Sequence, residues 1–178
     1  DHDNIVIASA ISPDGRWAAT AGGGSFPIHI WDMASGRTVK TLVGKGKAIW
    51  AVGFSRDGNR IAWGETWKIH TTRAQNPLEK ELMLPLAGNL GQPRAIDEQM
   101  RRGFVQARAR VGDMALIHKR GGNYGGDAIL DVVAQGKTIA SIMRDSTSGY
   151  DHRSYGFTAD GTMFFSGGSN GFLTAYDI

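Results

Sequence analysis

A tight-turn signal that returns three times constrains the fold of this chain more than any other feature. The three turns are Pro13-Asp14-Gly15, Arg56-Asp57-Gly58 and Ala159-Asp160-Gly161, each preceded by Ser or Thr and an apolar run. Asp can hydrogen-bond the backbone of its own turn and Gly accepts a positive φ, so each segment predicts a turn between two strands. The first two turns are 43 residues apart, which indicates a structural repeat.

Short alternating apolar runs surround each turn. Over residues 5–44 they predict four strands joined by turns, which is an antiparallel meander. The pattern restarts at 48–86, returns at 104–143, and ends after a third strand at 153–178. Residues 87–103 interrupt this rhythm and are predicted to be an insertion. The sequence therefore predicts an all-β fold of four repeated units.

Two strand assignments follow from the same alternation. In the second unit we assign residues 59–64, 67–72 and 81–86 to the second, third and fourth strands. In the third unit, Phe104 to Arg110 alternates strictly and is predicted to be a single strand.

The composition excludes several classes of site. The 178 residues include 25 Gly but only 5 Pro, which favours many tight turns over disorder. There is no Cys, so disulfides, thiolate catalysis and cysteine-ligated metals are excluded. No apolar run reaches the ~18 residues that a membrane-spanning helix needs, and we expect a cytoplasmic protein without a membrane partner. The net charge of +3 favours anionic partners only weakly.

The strand ends carry a second recurring signal. The first unit has Ile28-His29-Ile30-Trp31-Asp32 followed by Ser35-Gly36, and the fourth ends with Tyr176-Asp177. With the three turns, these motifs make the sequence similar to WD-repeat β-propeller proteins. The resemblance implies a β-propeller segment of about four four-stranded antiparallel blades, the last of which lacks its outer strand.

The resemblance has two further implications. Rings of this family generally have more blades, so we expect a piece of a longer multidomain protein, or a partial ring that a second copy completes. Family blades also often contain a buried tetrad of Asp, His, Ser or Thr, and Trp. The histidine position of that tetrad reads Gly44-Lys45 here, so we expect incomplete tetrads.

Three side chains are candidates for partner binding. Trp50 lies four residues before Phe54, and Arg153 and Ile7 hold the corresponding positions of the fourth and first units. In WD-repeat proteins this position often faces the upper surface of the ring, and Trp and Arg are frequent interface anchors. We therefore expect a non-catalytic scaffold or sensing module for a protein or peptide. Packing between blades is the alternative for Trp50, and it is the role we expect for the other four tryptophans.

A basic stretch over residues 94–120 suggests an anionic ligand. Its candidate residues are Arg101, Arg102, Arg108 and Arg110. Nucleic-acid binding through this stretch is the alternative function, although few aromatic residues lie nearby for base stacking. We favour a solvated edge that deters aggregation between strands.

No catalytic or cofactor-binding motif is present. A Gly-x-Ser-x-Gly motif is absent, and no two histidines have the spacing of metal ligands. We expect no enzyme activity, no metal and no cofactor. The five histidines are His2, His29, His70, His118 and His152.

Overall fold

A computed structural model describes residues 2–22, 26–43, 46–68, 76–84, 91–119, 128–145, 151–169 and 171–178. It contains four antiparallel sheets of three to five strands, which confirms the predicted all-β fold class. Several residues that carry sequence-based predictions lie outside the described ranges. They are Gly44, Lys45, His70, 85–90 and Arg120. No helix in the described part of the chain is long and apolar enough to cross a membrane.

The first sheet is the predicted four-stranded meander. Its strands pair in chain order, and all six residues of the first strand are buried. The strands are β1 (Val6–Ile11), β2 (Trp17–Gly22), β3 (Ile28–Asp32) and β4 (Arg37–Leu42).

The second sheet has five strands in the order β8-β7-β6-β5-β9. Its strands are β5 (Ala51–Ser55), β6 (Arg60–Gly64), β7 (Lys80–Met83), β8 (Arg94–Ala95) and β9 (Phe104–Val105). A one-turn helix, α1 (Glu98–Arg101), begins where Asp97 accepts a hydrogen bond from the backbone N–H of Met100.

The third and fourth sheets have four and three strands, each in chain order. The fourth sheet therefore has the predicted strand number. The third comprises β10 (Arg110–Val111), β11 (Met114–Lys119), β12 (Ala128–Ala134) and β13 (Lys137–Arg144). The fourth comprises β14 (Ser154–Phe157), β15 (Met163–Gly167) and β16 (Leu173–Asp177).

Strand order in the second sheet differs from the sequence-based assignment. Trp67 and Lys68 lie outside any strand, and β7, which we assigned as the fourth strand, pairs directly with β6. The outer strand β8 comes from the segment that we interpreted as an insertion. There Arg94 pairs with Glu81 of β7, and its guanidinium donates to the Glu81 carboxylate. Alternation identified the apolar runs, but it carries no information about which run neighbours which.

The alternating run from Phe104 to Arg110 is also divided. Phe104–Val105 pairs with β5, Arg108 forms an isolated bridge with Phe157, and Arg110–Val111 pairs with β11. The segment thus contacts three different sheets in succession. Its backbone groups find partners on each sheet that it passes, so one continuous alternating pattern does not become one strand.

The three repeated turns have the same hydrogen bonds. In the second unit the Ser55 hydroxyl donates to the Asp57 carboxylate and accepts from the backbone N–H of Arg60, at 2.9 Å. Ser12 with Asp14, and Thr158 with Asp160, repeat both contacts. These hydroxyl groups lower the pKa of each turn aspartate.

The four sheets pack in series, with an order in space that differs from chain order. The first sheet lies between the second and the fourth, because β1 contacts β5 on one side and β14 on the other. The third sheet packs on the fourth through Leu116, Leu130 and Phe157. The inner strands of three units are therefore neighbours around β1.

Three members of a tetrad form in the first unit. The indole N–H of Trp31 donates to the Thr20 hydroxyl at 2.7 Å, and that hydroxyl lies 2.7 Å from Nε2 of His2. The histidine is the one that sequence analysis did not connect with this network. Its signal was available, because His2 precedes Asp14 by the same 12 residues that separate Lys45 from Asp57.

Candidate functional site

A pair of stacked tryptophans forms the most prominent exposed aromatic surface of the second unit. The rings of Trp50 and Trp67 are 5.3 Å apart and inclined by 22°. Trp67 is 55% exposed, whereas Trp50 is partly buried at the start of the inner strand. We call these two residues the tryptophan platform. The sequence predicted a binding role for Trp50 but packing between blades for Trp67. The exposure of the Trp67 ring shows that the second prediction is wrong.

The side chain of Asn76 hydrogen-bonds the backbone of both platform segments. Its side-chain amide donates to the Trp50 carbonyl at 3.3 Å, and its side-chain oxygen accepts from the Lys68 N–H at 2.9 Å. The side chain of Gln106 donates in turn to the Asn76 carbonyl, at 2.9 Å. Asn76 is only 1% exposed, so this brace is a buried polar connection between the two chain segments that carry the indoles. No sequence signal distinguished Asn76.

Ion pairs lie beside the platform. Glu65 binds Lys80 at 2.8 Å and Lys47 at 3.6 Å. The hydrogen bond from Lys80 is the main cause that lowers the pKa of Glu65. Glu79 accepts from the Thr66 hydroxyl and from the Glu65 N–H. The segment just before Trp67 therefore carries one carboxylate that two exposed lysines share.

The other two candidate partner-binding residues lie at the equivalent positions of the fourth and first units. Arg153 is exposed just before β14, and its guanidinium binds the Asp151 carboxylate and the Ser169 hydroxyl. Ile7 lies in β1, between β5 and β14, and is 9% exposed. Trp50 and Arg153 thus present side chains to solvent, whereas Ile7 offers little surface. Their role in binding stays a prediction.

The basic stretch is only partly free for ligands. Arg101 donates from Nε to the Leu78 carbonyl at 2.6 Å, and Arg94 pairs with the buried Glu81. The side chains of Arg102, Arg108 and Arg110 are exposed. Arg108 and Arg110 pair with different sheets, so the shared face that strict alternation predicted is interrupted between them. An anionic ligand for these residues stays a prediction.

A small cavity lies where the first, second and fourth sheets approach one another. It is lined on one side by Ile11 and Pro13 and on the other by Arg108 and Phe157, and it measures about 30 Å³. That volume can hold a water molecule. It is too small for an organic ligand, because pockets for such ligands measure roughly 300–1,000 Å³. Within the described ranges, no three His, Asp or Glu residues come together as metal ligands.

Parts of the amino-acid sequence are similar to known proteins. A segment of 58 residues is 40% identical to an uncharacterized WD repeat-containing protein of Deinococcus radiodurans, covering 33% of this chain and 22% of that protein. A segment of 63 residues is 35% identical to another of Synechocystis sp., covering 35% of this chain and 18% of that protein.

The chain matches WD-repeat proteins over about a third of its length. The four antiparallel sheets and the repeated turns agree with such repeats. The matches span about a fifth of the length of these curated relatives. No protein-family model matches the chain.

Proposed function

We propose that this chain is a non-catalytic WD-repeat module that binds a protein or peptide partner on the tryptophan platform and on Arg153 of the fourth unit. The exposed, pre-stacked indole of Trp67 is the observation that carries the proposal. Exposed apolar area costs about 25 cal/mol per Å² relative to burial, so a partner gains free energy by covering this ring. In this proposal the chain is the recognition part of a longer protein.

The brace by Asn76 supports binding in a second way. A surface side chain usually loses rotamer freedom when a partner covers it, which costs about 0.5–1.5 kcal/mol. Trp67 is already held against Trp50, and both backbones are fixed by Asn76. Part of that ordering cost is therefore met in the unbound protein, and Trp is among the residues most often found at binding hot spots.

The test compares partner capture by four forms of the chain. Wild type, Trp67→Ala, Arg153→Ala and Met83→Ala are used as bait in lysate with and without nuclease treatment. Met83 is the matched control, because it is 58% exposed and apolar but lies on β7. Each captured protein is then purified, and its affinity for all four forms is measured by titration calorimetry.

We expect Trp67→Ala to weaken binding at least tenfold, which corresponds to about 1.4 kcal/mol. Met83→Ala should bind like wild type. A partner that binds Trp67→Ala and Met83→Ala equally well contradicts the assignment of the platform. Capture that disappears after nuclease treatment would instead favour nucleic acid as the ligand.

A further inference from the structure

A buried arginine lies at the interface between the third and fourth sheets. Arg144, at the end of β13, is 1% exposed. Its Nη2 donates to the Ser166 carbonyl at 2.7 Å and to the Thr174 hydroxyl at 3.2 Å, both on the fourth sheet. Within the described residues Nε and Nη1 have no hydrogen-bond partner, and no carboxylate pairs with this guanidinium. Arginine keeps its proton in proteins, so the interface contains a lasting positive charge.

A buried histidine lies in the same interface. His152 is 2% exposed, its Nδ1 lies 2.7 Å from the Ser166 hydroxyl, and its Nε2 lies 3.0 Å from the Ile142 carbonyl. A carbonyl only accepts, so Nε2 carries the proton and Nδ1 accepts from the serine. Both nitrogens of the neutral ring are therefore used. Adding a proton to Nδ1 breaks the bond that Ser166 donates.

Among the described residues, the charged and titratable groups that act on this ring are Arg144, His118 and Asp151. Arg144 reaches the interface from β13, and the ring of His118 on β11 is 6.0 Å away. Asp151, the acidic neighbour, binds Arg153 and accepts from Ser169. Burial, followed by the charge of Arg144, lowers the pKa of His152 to about 4.

The first and second units have no titratable group at this position of the sequence repeat. His152 lies eight residues before Asp160, and the corresponding residues before Asp14 and Asp57 are Val6 and Ile49. Both are buried, at 0% and 1% exposure. An aliphatic side chain therefore fits this position of the repeat. The fourth unit carries a hydrogen-bonded imidazole instead, and only that unit packs its ring against a buried arginine of the third.

We propose that the interface between the third and fourth sheets is an acid-sensitive contact, in which protonation of His152 beside Arg144 releases the third sheet. Two like charges close together in a low-dielectric interface repel strongly, and Asp151, the acid that acts on His152 among the described residues, is already paired with Arg153. Release exposes the apolar contacts of Leu116 and Leu130. The fourth sheet stays on the first, because that contact uses the separate bond from Ser9 to Ser154 at 2.8 Å.

The distribution of aromatic residues allows local release to be separated from unfolding. All five tryptophans lie within the first 67 residues, in the first and second units. Tryptophan fluorescence therefore reports on units that should keep their structure. Hydrogen exchange followed by mass spectrometry reports separately on β11, β12 and β14, which contribute Leu116, Leu130 and Phe157 to the interface.

The experiment measures exchange and fluorescence at pH 7 and pH 5 for wild type, His152→Val, His152→Gln and His2→Val. An open state with an ordinary histidine pKa of 6.5, against about 4 when closed, gains about 20-fold in population between pH 7 and pH 5. We expect the exchange rates of β11, β12 and β14, corrected for intrinsic pH dependence, to rise by that factor with unchanged fluorescence. Valine, as at Val6, and the uncharged glutamine should both abolish the rise.

His2→Val is the matched control. His2 is also buried, and its pKa is also lowered to about 4, but it lies in the first unit. This variant should therefore keep the rise in exchange at the interface. An equal rise in both His152 variants contradicts the proposal, as does a wild-type rise below about threefold. A simultaneous loss of tryptophan fluorescence also contradicts it, because acid would then unfold the whole chain.

Discussion

The turn network of the second unit offers a direct test of how the repeat is stabilised. Ser55 is fully buried, donates to Asp57 and accepts from the Arg60 N–H at 2.9 Å. Ser55→Ala removes both contacts and leaves a backbone donor without a partner where the hairpin closes. Leaving one such buried donor unsatisfied costs about 1–3 kcal/mol. For a domain of this size we expect the melting temperature to fall by about 2–12 °C.

Urea denaturation followed by tryptophan fluorescence measures this loss, since Trp63 lies on the adjacent strand β6. Ser55→Thr is the control, because Thr158 fulfils the same role in the fourth unit. Asp57→Ala should add little to Ser55→Ala, since both changes break the same network. The reasoning is refuted if Ser55→Ala unfolds at the same urea concentration as wild type and Ser55→Thr.

Three further predictions concern buried polar contacts. The pKa of His2 is lowered to about 4 by burial and the nearby His29, so stability that is present above pH 6.5 should fall between pH 6.5 and 4; urea titrations should show a loss of at most about 3 kcal/mol from this group, which His2→Gln removes while the loss due to His152 remains. Asn76→Ala should abolish the exciton couplet of the tryptophan platform in circular dichroism, while Asn76→Gln restores part of it. Glu81→Gln should cost about 1.5–3 kcal/mol in urea denaturation because that carboxylate is 3% exposed and accepts charge-assisted hydrogen bonds from Arg60 and Arg94, whereas Arg94→Gln should cost less than about 1 kcal/mol because that side chain is 69% exposed and Arg60 still pairs with Glu81.

Local chemistry made the repeated turns predictable. The hydroxyl, aspartate and glycine of each turn lie within seven residues of one another, so their hydrogen bonds depend little on the rest of the chain. The same is true of the meander in the first unit, where each strand pairs with its neighbour in sequence. All-β architecture and the number of units follow from these local patterns.

The second sheet could not be assigned in the same way. Its third strand, β7, follows β6 after a long segment, and its outer strand, β8, follows β7 after another segment. What fixes these strands is the long-range contact of Glu81 with Arg60 and Arg94. A close approach adds to it, because a Cβ on Gly64 would lie 1.7 Å from the Pro77 carbonyl oxygen. Neither constraint has a periodic signature in the sequence.

The candidate site was predictable only in its repeat position. Counting back from each turn located Trp50 and Arg153, because equivalent positions of a repeat lie at equivalent places in the fold. Trp67 and Asn76 belong to an irregular segment outside the repeat pattern, and they meet Trp50 only through tertiary contacts. Their importance therefore emerges from the structure alone.

Differences between units, rather than the repeated residues, determine what each surface can do. The turn residues make the same bonds in three units, so they cannot distinguish one surface from another. The two positions at or just before the start of each inner strand do differ. One holds Ile7, Trp50 or Arg153, and its neighbour holds Val6, Ile49 or His152. The first position varies in what it presents to a partner, and the second varies in what it packs against the adjoining sheet. Substitutions at the first should therefore change binding with little effect on stability, and substitutions at the second should change stability and its pH dependence.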